Sequence, residues 1–315
     1  MMVVLTGGTG GAKFVDGLRR VFPPEELTII VNTGDDHEWW GLRVSPDIDS
    51  ITYVLADKLS SERGWGVRGD TFHCLQAMKE LGEPAWFSVG DRDLAVHLLR
   101  TKLLYQGHTL TQATALIAEK LGVRSRILPM SNDRIETKIT TPNGEMSFEE
   151  YFVQRHYQDP VISVRFDGAA AARPAPDVLD AISAAAHVLI APSNPVTSIG
   201  PILAVPGIRR ALAKASASVV AVSPIIGSAA VSGPAAVLMR AVGLEASIHG
   251  VREAYREFLD VLIADTSDSA LSATQQKEGP NVEGTNILLR TSEQRVAVAR
   301  AALAVAQQPV STEAR

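Results

Sequence analysis

The chain has 315 residues, 46% of them hydrophobic, which is typical of a globular protein and excludes a disordered or fibrous one. Its net charge is −5, whereas nucleic-acid-binding proteins usually carry an excess of basic residues, so nucleic acid is not an expected partner. No apolar run reaches the ~18–20 residues that span a bilayer, so a membrane is not an expected partner either. The single cysteine, Cys74, excludes an intramolecular disulfide and a cysteine-rich zinc site, which fits a cytoplasmic protein.

The first elements predict a strand–helix–strand unit. An apolar strand at residues 2–6 is followed by a glycine cluster at 7–11 and by an amphipathic helix that ends at Pro23. A second apolar strand follows at residues 27–32. Because such a unit pairs its two strands in parallel through a right-handed crossover, the chain is predicted to open a parallel sheet.

Helices and strands continue to alternate to the end of the chain. The later predicted strands are residues 86–89, 187–191, 219–222 and 261–264. The later predicted helices are residues 50–59, 71–81, 94–104, 111–121, 179–186, 208–215, 235–242 and 293–306. This order predicts an α/β fold of the Rossmann-like, three-layer αβα type with a mainly parallel sheet, as a single nucleotide-binding domain over residues 1–315.

Three segments depart from this alternation. Residues 126–166 carry short alternating strands and an Asn143-Gly144 turn signal, which predicts an inserted α+β subdomain packed on the main sheet. Residues 266–285 are rich in Ser, Gln, Gly and Asn without periodicity, which favours a long mobile loop. The polar residues 307–315 are predicted to form a flexible tail.

The glycine cluster after the first strand predicts an anion-binding loop. Its glycines let the backbone approach an anion, and the following helix directs free N–H groups at the same place. Lys13 adds a positive charge. The loop matches neither a Walker A motif nor G-x-G-x-x-G, so a tight turn without a ligand is the alternative.

Four aspartates after the second predicted strand suggest a site for Mg²⁺, which takes carboxylate oxygens together with substrate phosphate. They are Asp35, Asp36, Asp47 and Asp49. The alternative for two of them is a local role as a helix N-cap or turn residue.

Three further polar segments follow predicted strands. Arg92 lies between two aspartates and could offer a planar donor fork to a ligand, unless this segment only caps the next helix through Asp93. Residues 193–198 and 223–227 offer hydroxyl, amide and backbone N–H groups. Because parallel strands end at one rim of a sheet, we expect residues from all these segments to line it. The expected rim residues are Gly8, Asp35, Arg92, Asn194 and Pro224.

Taken together, the ordered motifs resemble one family, that of the 2-phospho-L-lactate transferases of coenzyme F-420 biosynthesis. They include V-L-T-G-G-T-G-G-A-K, V-N-T-G-D-D, S-P-D-I-D-S, V-G-D-R-D-L-A, A-P-S-N-P-V-T-S-I-G and V-S-P-I-I-G. The resemblance reaches to about residue 265 and includes the insertion at 126–166. It implies transfer of a 2-phospholactyl, enolpyruvyl phosphate or phosphoglyceryl group from a guanosine-diphosphate-linked donor to the ribityl hydroxyl of the deazaflavin Fo, with release of GMP.

The resemblance also implies roles for individual residues. Asp49 and Arg92 fall at the family's Fo-binding positions. The guanosine diphosphate would be held by Gly8, Thr9, Gly10, Gly11, Lys13, Ser193, Asn194, Ser198 and Ser223. Mg²⁺ is expected on Asp35, Asp36 and Asp49, where it would screen the diphosphate. Asp49 and then Asp36 are the candidates for the carboxylate that takes the hydroxyl proton, and a homodimer is expected.

Two other functions stay open. A non-catalytic, nucleotide-sugar-binding regulator of related fold would share the glycine-rich start, although the P-D-I-D and G-D-R-D segments favour the transferase. An NAD-dependent dehydrogenase is disfavoured because the chain lacks G-x-G-x-x-G and the usual acidic residue after the second strand. No single residue in the sequence indicates which three-carbon acid is transferred.

Overall fold

A seven-stranded sheet, parallel throughout, organises the computed structural model, which describes residues 1–268 and 279–308. In chain order its strands are β1 (Met2–Thr6), β2 (Leu27–Val31), β5 (Arg126–Pro129), β9 (His187–Ile190), β10 (Val219–Val222), β13 (Val261–Asp265) and β14 (Asn281–Thr285). Their spatial order is β14-β13-β10-β9-β1-β2-β5. In the central register, Met2 pairs with Leu27 on one side and with His187 on the other.

The remaining strands form three small antiparallel units. They are β3 (His37–Trp39) with β4 (Leu42–Val44), β6 (Glu136–Thr141) between β7 (Gly144–Ser147) and β8 (Ser163–Asp167), and β11 (Ile225–Ile226) with β12 (Ala229–Ala230).

Eleven α-helices lie wholly within the described residues. They are α1 (Gly8–Leu18), α2 (Pro46–Leu55), α3 (His73–Glu80), α4 (Asp91–Tyr105), α5 (Leu110–Lys120), α6 (Val178–Ala184), α7 (Ile199–Ala204), α8 (Ile208–Ala213), α9 (Ala235–Ala241), α10 (Ile248–Tyr255) and α11 (Ser292–Ala306). None of them combines the length and the hydropathy that crossing a membrane requires.

Helices cover both faces of the sheet, so every residue of β1 and β2 is buried. Side chains alternate along each strand: Val3 and Leu5 join the core under α6–α10, whereas Met2 and Val4 join the core under α1, α2 and α11. The predicted three-layer αβα architecture with a parallel sheet is therefore confirmed.

Two of the strand and loop predictions were wrong. Residues 86–89 are not a strand. Trp86 lies outside the sheet and packs edge-on against Trp39, with ring centroids 4.9 Å apart. Within the loop predicted at 266–285, residues 281–285 form edge strand β14, because their backbone pairs with β13 despite polar side chains. Residues 269–278 of that loop lie outside the described residues, as do residues 309–315 of the predicted tail.

Three boundaries also differ. Residues 126–129 belong to the main sheet, so the separate three-stranded sheet of the insertion begins at Glu136. Helix α2 begins at Pro46 instead of residue 50, because proline suits the first helical position, and this places Asp47 and Asp49 in its first turn. Helix α4 begins at Asp91 with Gly90 as its N-cap, so Asp93 is not the cap.

Candidate active site

A cleft with a volume of about 570 Å³ lies at the carboxyl ends of β1, β2, β9 and β10. Gly8, Asp35, Asn194 and Pro224, each of which follows one of these strands, all line it. Arg92 does not line it: its exposed guanidinium donates a hydrogen bond to the carbonyl oxygen of Arg68 at 3.3 Å. Its neighbours Phe87 and Asp93 do line the cleft, so only the Arg92 side chain, and not the whole segment, lies outside it.

The glycine loop is shaped by close packing as well as by its turn. Gly8 has a φ of 68°, a conformation that favours glycine, and its N–H donates to Asp47 Oδ1 at 2.6 Å. A Cβ at Gly11 would overlap Thr6 Oγ1 and lie 2.6 Å from Ser193 Oγ. Asp47 thus already occupies one N–H at the start of α1.

Among the predicted nucleotide-binding residues after β9 and β10, Ser193 bonds to the glycine loop, whereas Ser223 and Asn194 bond within their own loops. Ser193 Oγ donates to the Gly7 carbonyl oxygen at 2.7 Å, and Ser223 Oγ donates to the Ile225 carbonyl oxygen at 2.9 Å. Asn194 Oδ1 accepts a hydrogen bond from the Val196 N–H at 2.9 Å. The cleft is also lined by Thr9, Gly10, Lys13, Ser193, Ser198 and Ser223, whereas Gly11 lies behind it. Burial and the charge of Arg295 lower the pKa of Lys13.

A first group of carboxylates surrounds Asn32. The Asn32 amide donates to Asp35 Oδ2 and to Asp47 Oδ2, each at 2.9 Å, and both aspartates line the cleft. Glu149, from the insertion, lines the same part of the cleft. Asp36 lies outside the lining and accepts a hydrogen bond from Ser45 Oγ at 2.6 Å. These four carboxylates therefore lie close together, and little positive charge nearby balances their negative charges.

Burial raises the pKa values in this group. It raises the pKa of Asp36 to about 8 and that of Asp47 to about 6, the latter against hydrogen bonds from Asn32 and Gly8. Burial and the charges of Asp47 and Asp36 raise the pKa of Glu149 to about 8. Burial and the same neighbours also hold the pKa of Asp35 well above its usual range. A group of buried carboxylates with raised pKa values is stabilised either by binding protons or by binding a cation.

A second buried group is centred on α4. Arg100, 1% exposed, donates through both terminal nitrogens to the two carboxylate oxygens of Asp49, one of them at 3.0 Å. His97 lies between this ion pair and Asp93, with 3.5 Å separating its Nε2 from Asp93 Oδ1. Tyr53 Oη donates to the same Asp93 oxygen at 2.6 Å. Asp49, Asp93, His97 and Tyr53 all line the cleft.

The predicted metal ligands Asp35, Asp36 and Asp49 therefore have three different partners: Asn32, Ser45 and Arg100. Within the described part of the chain, one trio of potential ligand atoms lies within 4.8 Å of one another, on Asp49, Asp93 and His97. In that trio Asp49 is already neutralised by Arg100.

Sequence reasoning missed several lining or supporting residues. They are Asn32, Tyr53, His97, Arg100 and Glu149. A signal was present for two of them: His97 and Arg100 follow Asp93 by four and seven positions, the spacing of one helix face. Polar residues at that spacing in a leucine-rich helix indicate a buried polar network.

Aromatic side chains form another wall of the cleft. Trp65 and Phe87 line it, as do Phe148 and Phe152 from the insertion. The rings of Phe148 and Phe152 stack with centroids 5.5 Å apart and an interplanar angle of 10°. The cleft thus joins a glycine loop, buried carboxylates and a flat apolar surface.

Similarity to known proteins extends over almost the whole chain. The sequence model of the family described as 2-phospho-L-lactate transferase CofD matches residues 2–304. A 2-phospho-L-lactate transferase of Methanococcoides burtonii is 42% identical over 292 residues, which are 93% of this chain and 95% of that protein. A phosphoenolpyruvate transferase of Kitasatospora aureofaciens is 43% identical over 314 residues, 98% of each chain.

Among solved structures, a member of the UPF0052 family from Bacillus halodurans shares the fold. Its TM-score is 0.62 at 18% identity, over 96% of this chain and 98% of that chain. The predicted family resemblance is confirmed by the match of the family model and by the identity to curated relatives. The chain belongs to the 2-phospho-L-lactate transferase CofD family.

Proposed function

We propose that this protein transfers a phosphorylated three-carbon acid from a guanosine-diphosphate-linked donor to the ribityl hydroxyl of Fo, with release of GMP. Family membership supports transferase chemistry, and the relatives named for 2-phospho-L-lactate and for phosphoenolpyruvate support either acid. The observation that carries the proposal is that one cleft combines a glycine loop, buried carboxylates and an aromatic wall. Phosphoryl-type transfer needs positioning and charge neutralisation, which such a cleft offers.

Two sets of residues that line the cleft suit two different substrates. The glycine loop and Lys13 supply N–H groups and a positive charge for the donor diphosphate. The aromatic wall of Trp65, Phe87, Phe148 and Phe152 suits a flat deazaflavin ring, because aromatic faces stack on such rings. The carboxylates that line the same cleft would then lie near the atoms that react.

Mg²⁺ fits the group around Asn32. Asp35 Oδ1 is buried without a hydrogen-bond partner among the described residues, and Asp47 shares Asn32 with it. We propose that Asp35 and Asp47 hold the ion, with Asp36 behind them and Asp49 committed to Arg100. The ion would supply charge neutralisation for the diphosphate.

The first test is donor competition. Purified protein is incubated with Fo, Mg²⁺ and equal concentrations of guanosine- and adenosine-linked donors for each acid, and products are separated by mass. We expect GMP release that requires Fo and a strong preference for guanosine. Selection among the acids should be looser, because a carbon difference is worth only about 1–3 kcal/mol.

The outcomes separate the alternatives. Donor binding without GMP release under any condition would indicate the non-catalytic regulator. Equal use of adenosine- and guanosine-linked donors would contradict the proposed base preference. Binding of NAD in place of either donor would indicate a dehydrogenase.

The expected homodimer has a surface that supports it. The buried residues of α4 are Asp93, His97 and Arg100, so this helix buries its charged face. Its exposed residues include the large side chains Leu98, 52% exposed, and Tyr105, 94% exposed, together with Ala95 and the cations Arg92 and Lys102. We propose that two copies pair across this face, because exposed large apolar side chains on a helix suit a self-complementary two-fold contact.

Introducing charge on this face should separate the copies. We expect the wild type to have twice the chain mass of 33.7 kDa by light scattering, and Leu98→Glu with Tyr105→Glu to have the monomer mass. Ile162→Glu, at a residue 58% exposed outside α4, is the matched control and should stay dimeric. A monomeric wild type at micromolar concentration would contradict the dimer, and a dimeric double variant would contradict this face.

A further inference from the structure

We propose that Asp93 is the carboxylate that takes the proton from the acceptor hydroxyl, and that Tyr53 positions it by a hydrogen bond. This assignment rests on the transferase function proposed above. It differs from the sequence-based candidates, Asp49 and Asp36.

Asp93 is held firmly at one edge of the cleft. It lies in the first turn of α4, and its N–H and that of Arg92 donate to Asp70 at 3.1 and 2.8 Å. Its Oδ1 accepts the 2.6 Å hydrogen bond from Tyr53 and faces His97 Nε2. One oxygen of the carboxylate is therefore committed to positioning contacts.

The orientation of His97 follows from Arg100. His97 Nδ1 lies 3.4 Å from Arg100 Nη1, which can only donate, so Nδ1 is the acceptor of the ring. Burial lowers the pKa of His97 to about 4, so the ring is neutral at pH 7 and carries its hydrogen on Nε2. Nε2 lies 3.5 Å from Asp93 Oδ1 but forms no hydrogen bond with any described residue, so the ring packs beside the carboxylate without donating to it.

The other oxygen of Asp93 is free for substrate. In the described part of the chain no group donates to Oδ2, and a Cβ added at Gly66 would lie 4.0 Å from it. Trp65, Gly66 and Asp93 all line the cleft, so Oδ2 lies near the part of the aromatic wall that Trp65 forms. A ribityl chain attached to a ring on that wall could bring its hydroxyl there.

The remaining carboxylates are less suitable. Both oxygens of Asp49 are bonded to Arg100, and Asp36 does not line the cleft. Asp35 and Asp47 share Asn32, and Glu149 lies with them at the proposed cation site. Asp93 combines access to the cleft, a free oxygen and one positioning donor, Tyr53.

The electrostatic surroundings suit a general base. Burial and the charge of Asp49 raise the pKa of Asp93 to about 7, with a smaller contribution from Asp70 and opposition from Tyr53 and Arg100. A base works best with a pKa near the operating pH. Burial holds the pKa of Tyr53 well above its usual range, so this phenol stays a donor.

The step balances as follows. The acceptor O–H gives its proton to Asp93 Oδ2 while its oxygen attacks the donor phosphorus that carries the three-carbon acid. The bond from that phosphorus to the bridging oxygen breaks, and GMP leaves with the electron pair. The product is the phosphodiester, and Asp93 returns its proton to solvent.

The test compares Asp93→Asn with wild type. We expect kcat for GMP release to fall by about 10²–10⁴-fold, with KM for both substrates changed less than about threefold. If wild type releases no GMP, the proposed function fails; if wild type is active and folded Asp93→Asn keeps its kcat, the Asp93 assignment alone fails. Thermal unfolding establishes that the variant is folded.

A second variant decides the question even if Asp93→Asn does not fold. Tyr53→Phe removes a hydrogen bond that favours the ionised carboxylate, so the acidic limb of the kcat–pH profile should move to higher pH. Thr52→Ser, at the neighbouring position, should leave the limb in place. An unchanged limb in Tyr53→Phe would overturn the assignment, because a purely structural role would not move it.

Discussion

Asp49→Asn is expected to destabilise the protein by about 3–5 kcal/mol, as well as removing most turnover. Asp49 is 4% exposed and Arg100 is 1% exposed, so a neutral amide would leave a buried guanidinium without its counter-charge. Urea unfolding should report this loss as a lower midpoint. Activity would then fall because α4, which carries Asp93 and His97, loses its anchor.

A double variant distinguishes this ion pair from a metal ligand. Asp49→Leu with Arg100→Met replaces the pair with apolar side chains, and it should be more stable than either single variant, since the charge is no longer left unpaired. If the stability losses of Asp49→Leu and Arg100→Met instead add up to the loss of the double variant, the ion pair would be contradicted. An Asp49→Asn variant that unfolds at the wild-type urea concentration would contradict it too.

Without divalent cations, stability is expected to fall as pH rises from about 4 to 8. Burial raises the pKa values of Asp36 and Glu149 to about 8 and that of Asp47 to about 6. Between these pH values the folded state keeps protons that the unfolded state has released. The stability that these carboxyl groups contribute is therefore fully present below their pKa values in the unfolded state, and it is lost as the pH rises through their pKa values in the folded state. Each such group contributes at most ~1.4 kcal/mol per pH unit.

Mg²⁺ should counteract this loss. The ion competes with protons for the carboxylates, so its stabilising effect in urea unfolding should be larger at pH 8 than at pH 5. Turnover should stop in excess chelator and return when Mg²⁺ is restored. Asp35→Asn should abolish the Mg²⁺ effect, whereas Asp57→Asn, at an exposed carboxylate, should not. Equal unfolding midpoints with Mg²⁺ and with chelator at pH 8 would exclude the site.

The loops at the strand ends could be placed from the sequence because their positions follow from local patterns. Apolar runs mark β1, β2, β9 and β10, and the carboxyl ends of parallel strands meet at one rim. Gly8, Asp35, Asn194 and Pro224 therefore meet in the cleft as expected. Arg92 is not among them: Phe87 and Asp93 on either side of it line the cleft, but its own exposed guanidinium bonds to the Arg68 carbonyl oxygen, an orientation that no local pattern indicates.

The sequence by itself determined the layered α/β fold, the family and the loops that meet at the sheet rim, because hydrophobic periodicity and ordered motifs act locally. The tertiary structure alone decided which acids are paired. Asp49 bonds to Arg100 51 positions away, and Asp93 bonds to Tyr53 across 40 positions. Such partners are set by how α2 packs near α4, a geometry that no local spacing encodes. Which of the five cleft carboxylates is paired with Arg100, and which keep an oxygen open to the cleft, therefore emerges only in the folded chain.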